Sequence, residues 1–231
     1  MNDLRPVYLL AGGRDSRTYG DVVRAIVGQT GKKKPTIAYV GVASGENYGF
    51  YLMISSMIKN AASCAIKRVV IAGKNADINK AKQILESADA IFMSGGDVEA
   101  GMRVLTEKGL VQYFINLHQG GKVIFSASAG SIMLGRQWVR WENPDDDATA
   151  ELFPCLGIVP IICDTHAEDD DWEELRTELM LDKEGTTGYG ITSGSCLAVF
   201  PEGRLEAFHG IVVRFRHEGN RLVRLPELTH T

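Results

Sequence analysis

The chain has 231 residues, 45% hydrophobic and 23% charged, which suits one domain with a large core spanning residues 1–231. A net charge of −4 gives no reason to expect nucleic acid or an anionic membrane as partner. No apolar stretch reaches the ~20 residues that cross a bilayer. The first six residues lead into an apolar run without a signal-peptide core, so the expected setting is the cytoplasm.

Residues 7–11 form a short apolar run closed by Gly12-Gly13, the pattern of a buried strand and its turn. Between residues 16 and 29, Val22, Val23, Ile26 and Val27 recur at helical spacing, and Gly28 and Gly31 mark the end. Further strands are predicted at 36–41, 67–72 and 90–93, with helices at 51–62 and 79–87 between them. The strand at 90–93 runs into Ser94-Gly95-Gly96-Asp97, and helices at 98–106 and 110–119 follow. Strands that are apolar throughout and alternate with amphipathic helices imply a doubly wound, mostly parallel α/β sheet. In such sheets ligands sit beyond the C-terminal strand edges, where Gly12-Gly13, Gly41 and Gly95-Gly96 all fall.

Residues 123–125 form the next strand. A cluster of small residues follows, Ser126-Ala127-Ser128-Ala129-Gly130-Ser131, and then an apolar helix start. Strand, tight turn and helix with a serine at the corner is the nucleophile-elbow arrangement. Ser128 is its nucleophile candidate, with Ser126 in the place usually held by glycine. Two other readings stay open: Ser128 or Ser131 caps the helix, or the turn binds an anion.

Beyond Gly135, residues 138–147 read as a polar loop with two tryptophans, and 156–163 as an apolar extended segment ending near His166. Residues 167–181 predict a helix with an acidic start. Apolar runs at 188–191, 196–200, 206–208, 211–215 and 222–225 alternate with turns, which predicts a largely antiparallel finish on one edge of the sheet. Those late apolar strands leave a homodimer open.

A serine needs a base, the base needs an acid, and the oxyanion needs donors. Of the five histidines, only His166 stands in a loop just after an apolar segment downstream of Ser128. Glu142, Asp145, Asp146 and Asp147 lie between the two, although that run also reads as a solvated loop. The N–H groups of Ala129 and Gly96 are the natural oxyanion donors. Cys64, Cys155, Cys163 and Cys196 have no paired metal spacing, so buried free thiols are expected and neither a metal nor a cofactor.

Together these residues resemble the serine peptidase family of peptidase E (alpha-aspartyl dipeptidase) and cyanophycinase. Ile91 to Asp97 is similar to its apolar strand ending in Gly-Gly-Asn/Asp, and Ser128-Ala129-Gly130-Ser131 to its elbow. Leu152 to His166 is similar to its segment ending in the catalytic histidine, and Gly188-Tyr189-Gly190-Ile191 to a late Gly-x-Gly-Ile strand. The resemblance implies a glutamine-amidotransferase-like sheet and a small peptide substrate cleaved through an acyl-enzyme. By that resemblance Ser128 is the nucleophile, His166 the base, and Gly96 and Ala129 the oxyanion hole. It places the acid within 142–147, where Glu142 is preferred to Asp145 or Asp146. Three departures stand out. Ser126 replaces a glycine, and Ala167 to Asp171 are acidic where family peptidases of acidic substrates place arginine. Thr192-Ser193-Gly194 stands where cyanophycinases tend toward an acidic pair. An acidic rim repels an aspartyl side chain, so a neutral or basic P1 residue is expected. The competing reading is a non-catalytic ligand-binding or sensing domain on the same fold. A cysteine-type amidotransferase is disfavoured, because no cysteine stands at the elbow.

Overall fold

The computed structural model describes residues 4–12, 16–143 and 145–230. Its first half runs β1 (Val7–Leu10), α1 (Ser16–Gln29), β2 (Thr36–Val40), α2 (Tyr48–Ala61), β3 (Ala65–Val69), α3 (Ile78–Ser87), β4 (Ala90–Met93), α4 (Val98–Glu107), α5 (Val111–Gln119), β5 (Val123–Ala127) and α6 (Ala129–Leu134). The second half comprises β6 (Gln137–Trp141), β7 (Ala150–Pro154), β8 (Ile162–Thr165), α7 (Glu173–Leu181), β9 (Thr187–Ile191), β10 (Cys196–Val199), β11 (Leu205–His209), β12 (Ile211–Glu218) and β13 (Arg221–Thr229).

The central sheet has the order β11-β10-β1-β5-β4-β2-β3. Strands β1 to β5 are mutually parallel, and β10 and β11 add an antiparallel edge. Helices cover both faces, as uniformly apolar strands require. On one face α1 and α2 pack Val22, Val23, Ile26 and Ile58 against Tyr39, Phe92 and Phe125. On the other, α3 to α6 bring Leu85, Met102, Phe114 and Met133 against Leu9, Val40 and Ile124. Truncating a fully buried phenylalanine such as Phe92 or Phe125 to alanine costs about 3–5 kcal/mol.

The loops after β1, β2, β4 and β5 meet at one place. A Cβ on Gly95 would lie 2.8 Å from Ser128 Cβ, and one on Gly96 only 2.0 Å from Ala43 O. Gly12 stands against the same serine; its expected turn partner Gly13 lies outside the described residues.

Several expectations shift. Strand β3 ends at Val69 rather than residue 72 because Glu46, buried, takes the N–H groups of Ile71 and Ala72 on its carboxylate and draws them off the ladder. Helix α2 starts earlier than 51, because Asn47 caps it by accepting the Phe50 N–H. Of the polar loop expected over 138–147, residues 138–141 belong to strand β6, paired with β7 as a hairpin, and the exposed acids that follow lie in its turn. The segment 156–161 is irregular, and its apolar side chains Leu156 and Val159 enter the core instead of a sheet. The antiparallel finish divides in two. β10 and β11 edge the central sheet, whereas β8, β9, β12 and β13 form a separate sheet ordered β13-β12-β9-β8. Helix α7 begins only at Glu173, since His166, Asp171 and Trp172 all take positive φ and no helix propagates through them.

Candidate active site

Strand β5 ends at Ala127 and the chain turns sharply into α6 with Ser128 at the corner. Its backbone has φ 53° and ψ −131°, a conformation that costs a non-glycine residue about 1–3 kcal/mol. Packing holds it there. Ser128 N–H donates to Leu10 O at 2.9 Å, and a Cβ on Gly130 would meet Met93 O at 2.3 Å, so β4 passes directly beside the turn. Ser126 and Ser131 are both fully buried, with their hydroxyls 3.0 Å apart, and Ser131 Oγ donates to Leu10 O at 2.8 Å. Ser126, which replaces the usual glycine, therefore helps tie the elbow to β1. Ser128 makes no side-chain cap bond, and Ser131 spends its hydroxyl on β1, so neither serves the alternative role of helix cap.

His166 follows β8, and its N–H donates to Ile191 O at 3.0 Å. The parallel pairing of β8 with β9 thus carries it to the end of the elbow strand. Its Nε2 lies 2.7 Å from Ser128 Oγ, within reach for proton transfer. The other histidines are occupied elsewhere. His209 faces Asp21 and stacks on His230, the His217 ring lies against Asp182 O and Gly219 O, and His118 borders a small separate cavity.

Ser128 and His166 open onto a cavity of about 410 Å³, and Gly96 and Ala129 line it too. Ala129 is the first residue of α6, so its N–H has no acceptor within the helix. Gly96 has φ 145°, which side-chain-bearing residues rarely adopt, and its backbone passes against Ala43 and Ser44 while the preceding Gly95 stands against Ser128. The expected oxyanion residues thus stand beside the expected nucleophile and base.

The acid is a different matter. Glu142 is exposed in the turn of the β6–β7 hairpin, where its N–H donates to Thr149 O. Among the described residues no hydrogen bond joins His166 to Glu142, Asp145, Asp146 or Asp147. Only the base of the hairpin reaches the cavity, through Trp138. Four further residues of extended chain carry Glu142 roughly 13 Å along the strand.

The carboxylates that do line the cavity are Asp97, Asp164, Asp170 and Glu174. Asp97 caps α4 through Ala100 N–H at 2.8 Å, and Asp170 accepts from Trp172 N–H at 3.0 Å. Glu174 Oε2 accepts from Trp138 Nε1 at 2.7 Å. Burial raises the Glu174 carboxyl above the usual range, and the charge of His166 acts in the opposite direction. Asp164 is pushed up to about 7 by burial, with Glu174, Asp170 and Glu168 adding repulsion. Glu178, on α7 behind it, is pushed up to about 9 by burial, followed by the Asp164 charge. Sequence inspection missed Asp164 and Glu174, although Asp164 stands two residues before His166. Of the other acids of the expected rim, Glu168 accepts from Ser193 and Asp171 pairs with Arg176.

A second cavity of about 490 Å³ touches the same Ser128 and His166 from the other side. Its walls are apolar: Tyr19, Phe50, Ile54, Met57 and Phe92. The four cysteines are free and buried as expected, and among the described residues no cluster of His, Cys, Asp and Glu could hold a metal ion. Nor is any helix among those residues long and apolar enough to cross a membrane.

Residues 7–204 match the model of peptidase family S51. A search of curated proteins finds no match. Among solved structures the chain is similar to a peptidase from an acI-B1 Actinobacterium, at 16% identity and a TM-score of 0.70, covering 99% of this chain and 98% of that one. It is also similar to a protein from Listeria monocytogenes EGD-e assigned as peptidase E. That match has 14% identity and a TM-score of 0.64, covering 96% of this chain and 100% of the other.

Proposed function

The chain belongs to peptidase family S51, and from that premise we propose that it hydrolyses short peptides through an acyl-enzyme on Ser128. The observation that carries this reading is the 2.7 Å contact of Ser128 Oγ with His166 Nε2 at a backbone corner of positive φ. Ser128 Oγ attacks the scissile carbonyl carbon while its proton passes to His166 Nε2. The carbonyl oxygen, now negative, takes hydrogen bonds from the N–H groups of Gly96 and Ala129. Collapse breaks the C–N bond, and His166 gives the proton to the departing amine. Water then attacks the ester with His166 again as base, releasing the acid and restoring the serine hydroxyl.

The imidazolium formed in each half-reaction is stabilised by carboxylate charge in the chamber. Glu174, which lines the same cavity as His166, is assigned that part in place of Glu142. A cavity of about 410 Å³ suits a residue or two of substrate rather than a folded chain. The surrounding carboxylates support a P1 residue that is not acidic.

A fluorophosphonate probe followed by mass spectrometry tests the mechanism. Label on Ser128 in the wild type, absent from Ser128→Ala and strongly reduced in His166→Ala, is the expected result. A folded protein that takes no label at Ser128 would overturn it.

A further inference from the structure

The apolar cavity has no task in the acyl-transfer chemistry, yet the reacting groups form part of its wall. It measures about 490 Å³, and Ser128 and His166 both border it. Gly12 and Gly95 line it beside the serine, so closely that a Cβ on Gly95 would lie 3.3 Å from Ser128 Oγ. Whatever enters the cavity is therefore held against the attacking oxygen. One wall comes from α2, where Phe50, Met53, Ile54 and Met57 follow the i, i+3, i+4, i+7 spacing of a single helix face. Core packing uses that stripe only in part: Ile54 is buried, Phe50 and Met57 are half-buried, and Met53 is 50% exposed. An apolar stripe left open beside a serine at a strained corner is the surface expected of a side-chain pocket. Its two methionines give walls that adapt to more than one occupant.

The lining indicates the chemistry of that occupant. Among the described lining residues there is no carboxylate, lysine or arginine, and His166 and Tyr19 are the ionisable side chains. A charged group placed against those walls loses its hydration without gaining a partner. An aromatic or long aliphatic group instead removes its own surface and that of α2 from water. Resting on the peptidase reading above, we propose that this cavity is the side-chain pocket of the active site. It takes a large apolar side chain of the substrate, that of leucine, methionine or phenylalanine, next to the scissile bond. The cavity borders both the attacking oxygen and the base that protonates the departing amine, so the residue on either side of that bond can supply the side chain. The Gly96 and Ala129 backbone lines the other chamber, so an occupant of the apolar cavity leaves the oxyanion donors free.

The test compares kcat/KM for Leu-Ala and Phe-Ala with Ala-Ala, and for Ala-Leu and Ala-Phe with Ala-Ala. Seating the larger group gives a roughly 10- to 100-fold advantage in at least one of the two series. An advantage in the first series identifies the acyl-side residue as the source, and one in the second identifies the leaving residue. Met57→Ala strips part of the wall, and Met53→Glu sets a charge at the half-exposed edge. Each lowers the advantage by about threefold or more. Met180→Ala, at an exposed methionine of α7 outside the cavity, leaves it unchanged. Equal rates across both series, or an advantage that persists in both Met57→Ala and Met53→Glu, would overturn the pocket. Fluorophosphonate labelling of each protein separates the two readings. Labelled Ser128 without apolar preference removes the pocket alone, and unlabelled Ser128 in the wild type removes the mechanism on which it rests.

Discussion

Two chambers share the Ser128–His166 pair and differ in almost everything else. One is about 410 Å³, bordered by four carboxylates and the Gly96 and Ala129 backbone; the other is about 490 Å³ and walled by aromatic and aliphatic side chains of α1, α2 and β4. The difference follows from which sheet builds each wall. The apolar side belongs to the core face of the central sheet, where any charge would be desolvated at great cost. The acidic side lies where the second sheet and α7 close over the elbow. That junction tolerates carboxylates because Trp138 and turn N–H groups satisfy most of their oxygens. On the proposed reading the chemistry is common to both chambers, whereas the carboxylates border only one of them.

The change that abolishes both sides at once has the largest expected effect. Ser128→Ala removes the shared nucleophile and lowers kcat/KM by about 10⁴-fold or more, read on any peptide that the wild type cleaves. Gly96→Ala acts from the acidic side, where Gly96 lines the cavity. Its Cβ would meet Ala43 O at 2.0 Å at a φ of 145°, costing about 2 kcal/mol or more in thermal denaturation and lowering kcat as well.

Asp164→Asn makes the two chambers more alike by removing one of the carboxylates that line the first. At pH 8 the variant is expected to be more stable by about 1–3 kcal/mol, since a buried unpaired charge is removed. Folded Asp164 and Glu178 titrate at about 7 and about 9, well above the unfolded carboxyls. The folded state therefore holds protons that the unfolded chain has released, and stability falls as pH rises from about 4 toward those values. The groups acting on them are Glu174, Asp170 and Glu168 around Asp164, and Asp164, Arg136 and Asp182 around Glu178. A pH series of melting temperatures should flatten between about pH 4 and 7 in Asp164→Asn; an unchanged slope would refute the assignment.

Two smaller effects sharpen which carboxylate serves the histidine. Glu174→Gln is expected to lower kcat by about tenfold while keeping an acceptor for Trp138. Glu142→Gln, at an exposed hairpin turn, is expected to change kcat/KM by less than about threefold. The reverse ranking in steady-state kinetics would restore Glu142 to the triad.

The elbow was legible in the sequence because it is local. A strand of Val123, Ile124 and Phe125, small residues wherever backbones cross, and an apolar helix start all fall within a dozen positions. The parallel sheet was legible for a related reason: strands buried on both faces are apolar at every position, whichever neighbours they take. His166 could be singled out by its place after an apolar segment, and the free, buried state of the cysteines by the lack of any paired spacing. The hairpin β6–β7 escaped because alternating Gln137, Trp138, Val139 and Arg140 look polar until Phe153 and Glu151 are seen opposite them.

What the sequence by itself determined was therefore the central sheet, the strained serine and the histidine that reaches it. Only the tertiary structure decided which acids stand beside them. In sequence, Asp164 and the run from Glu168 to Glu174 are ordinary charges that water would solvate. Their character changes because β8 pairs with β9 in a second sheet and α7 packs Trp172, Leu175 and Leu179 beneath them. That packing removes water from Asp164 and draws Glu174 to Trp138, while extended chain carries Glu142 away. Desolvation and long-range register are properties of the assembled fold, and no local pattern of residue types encodes them.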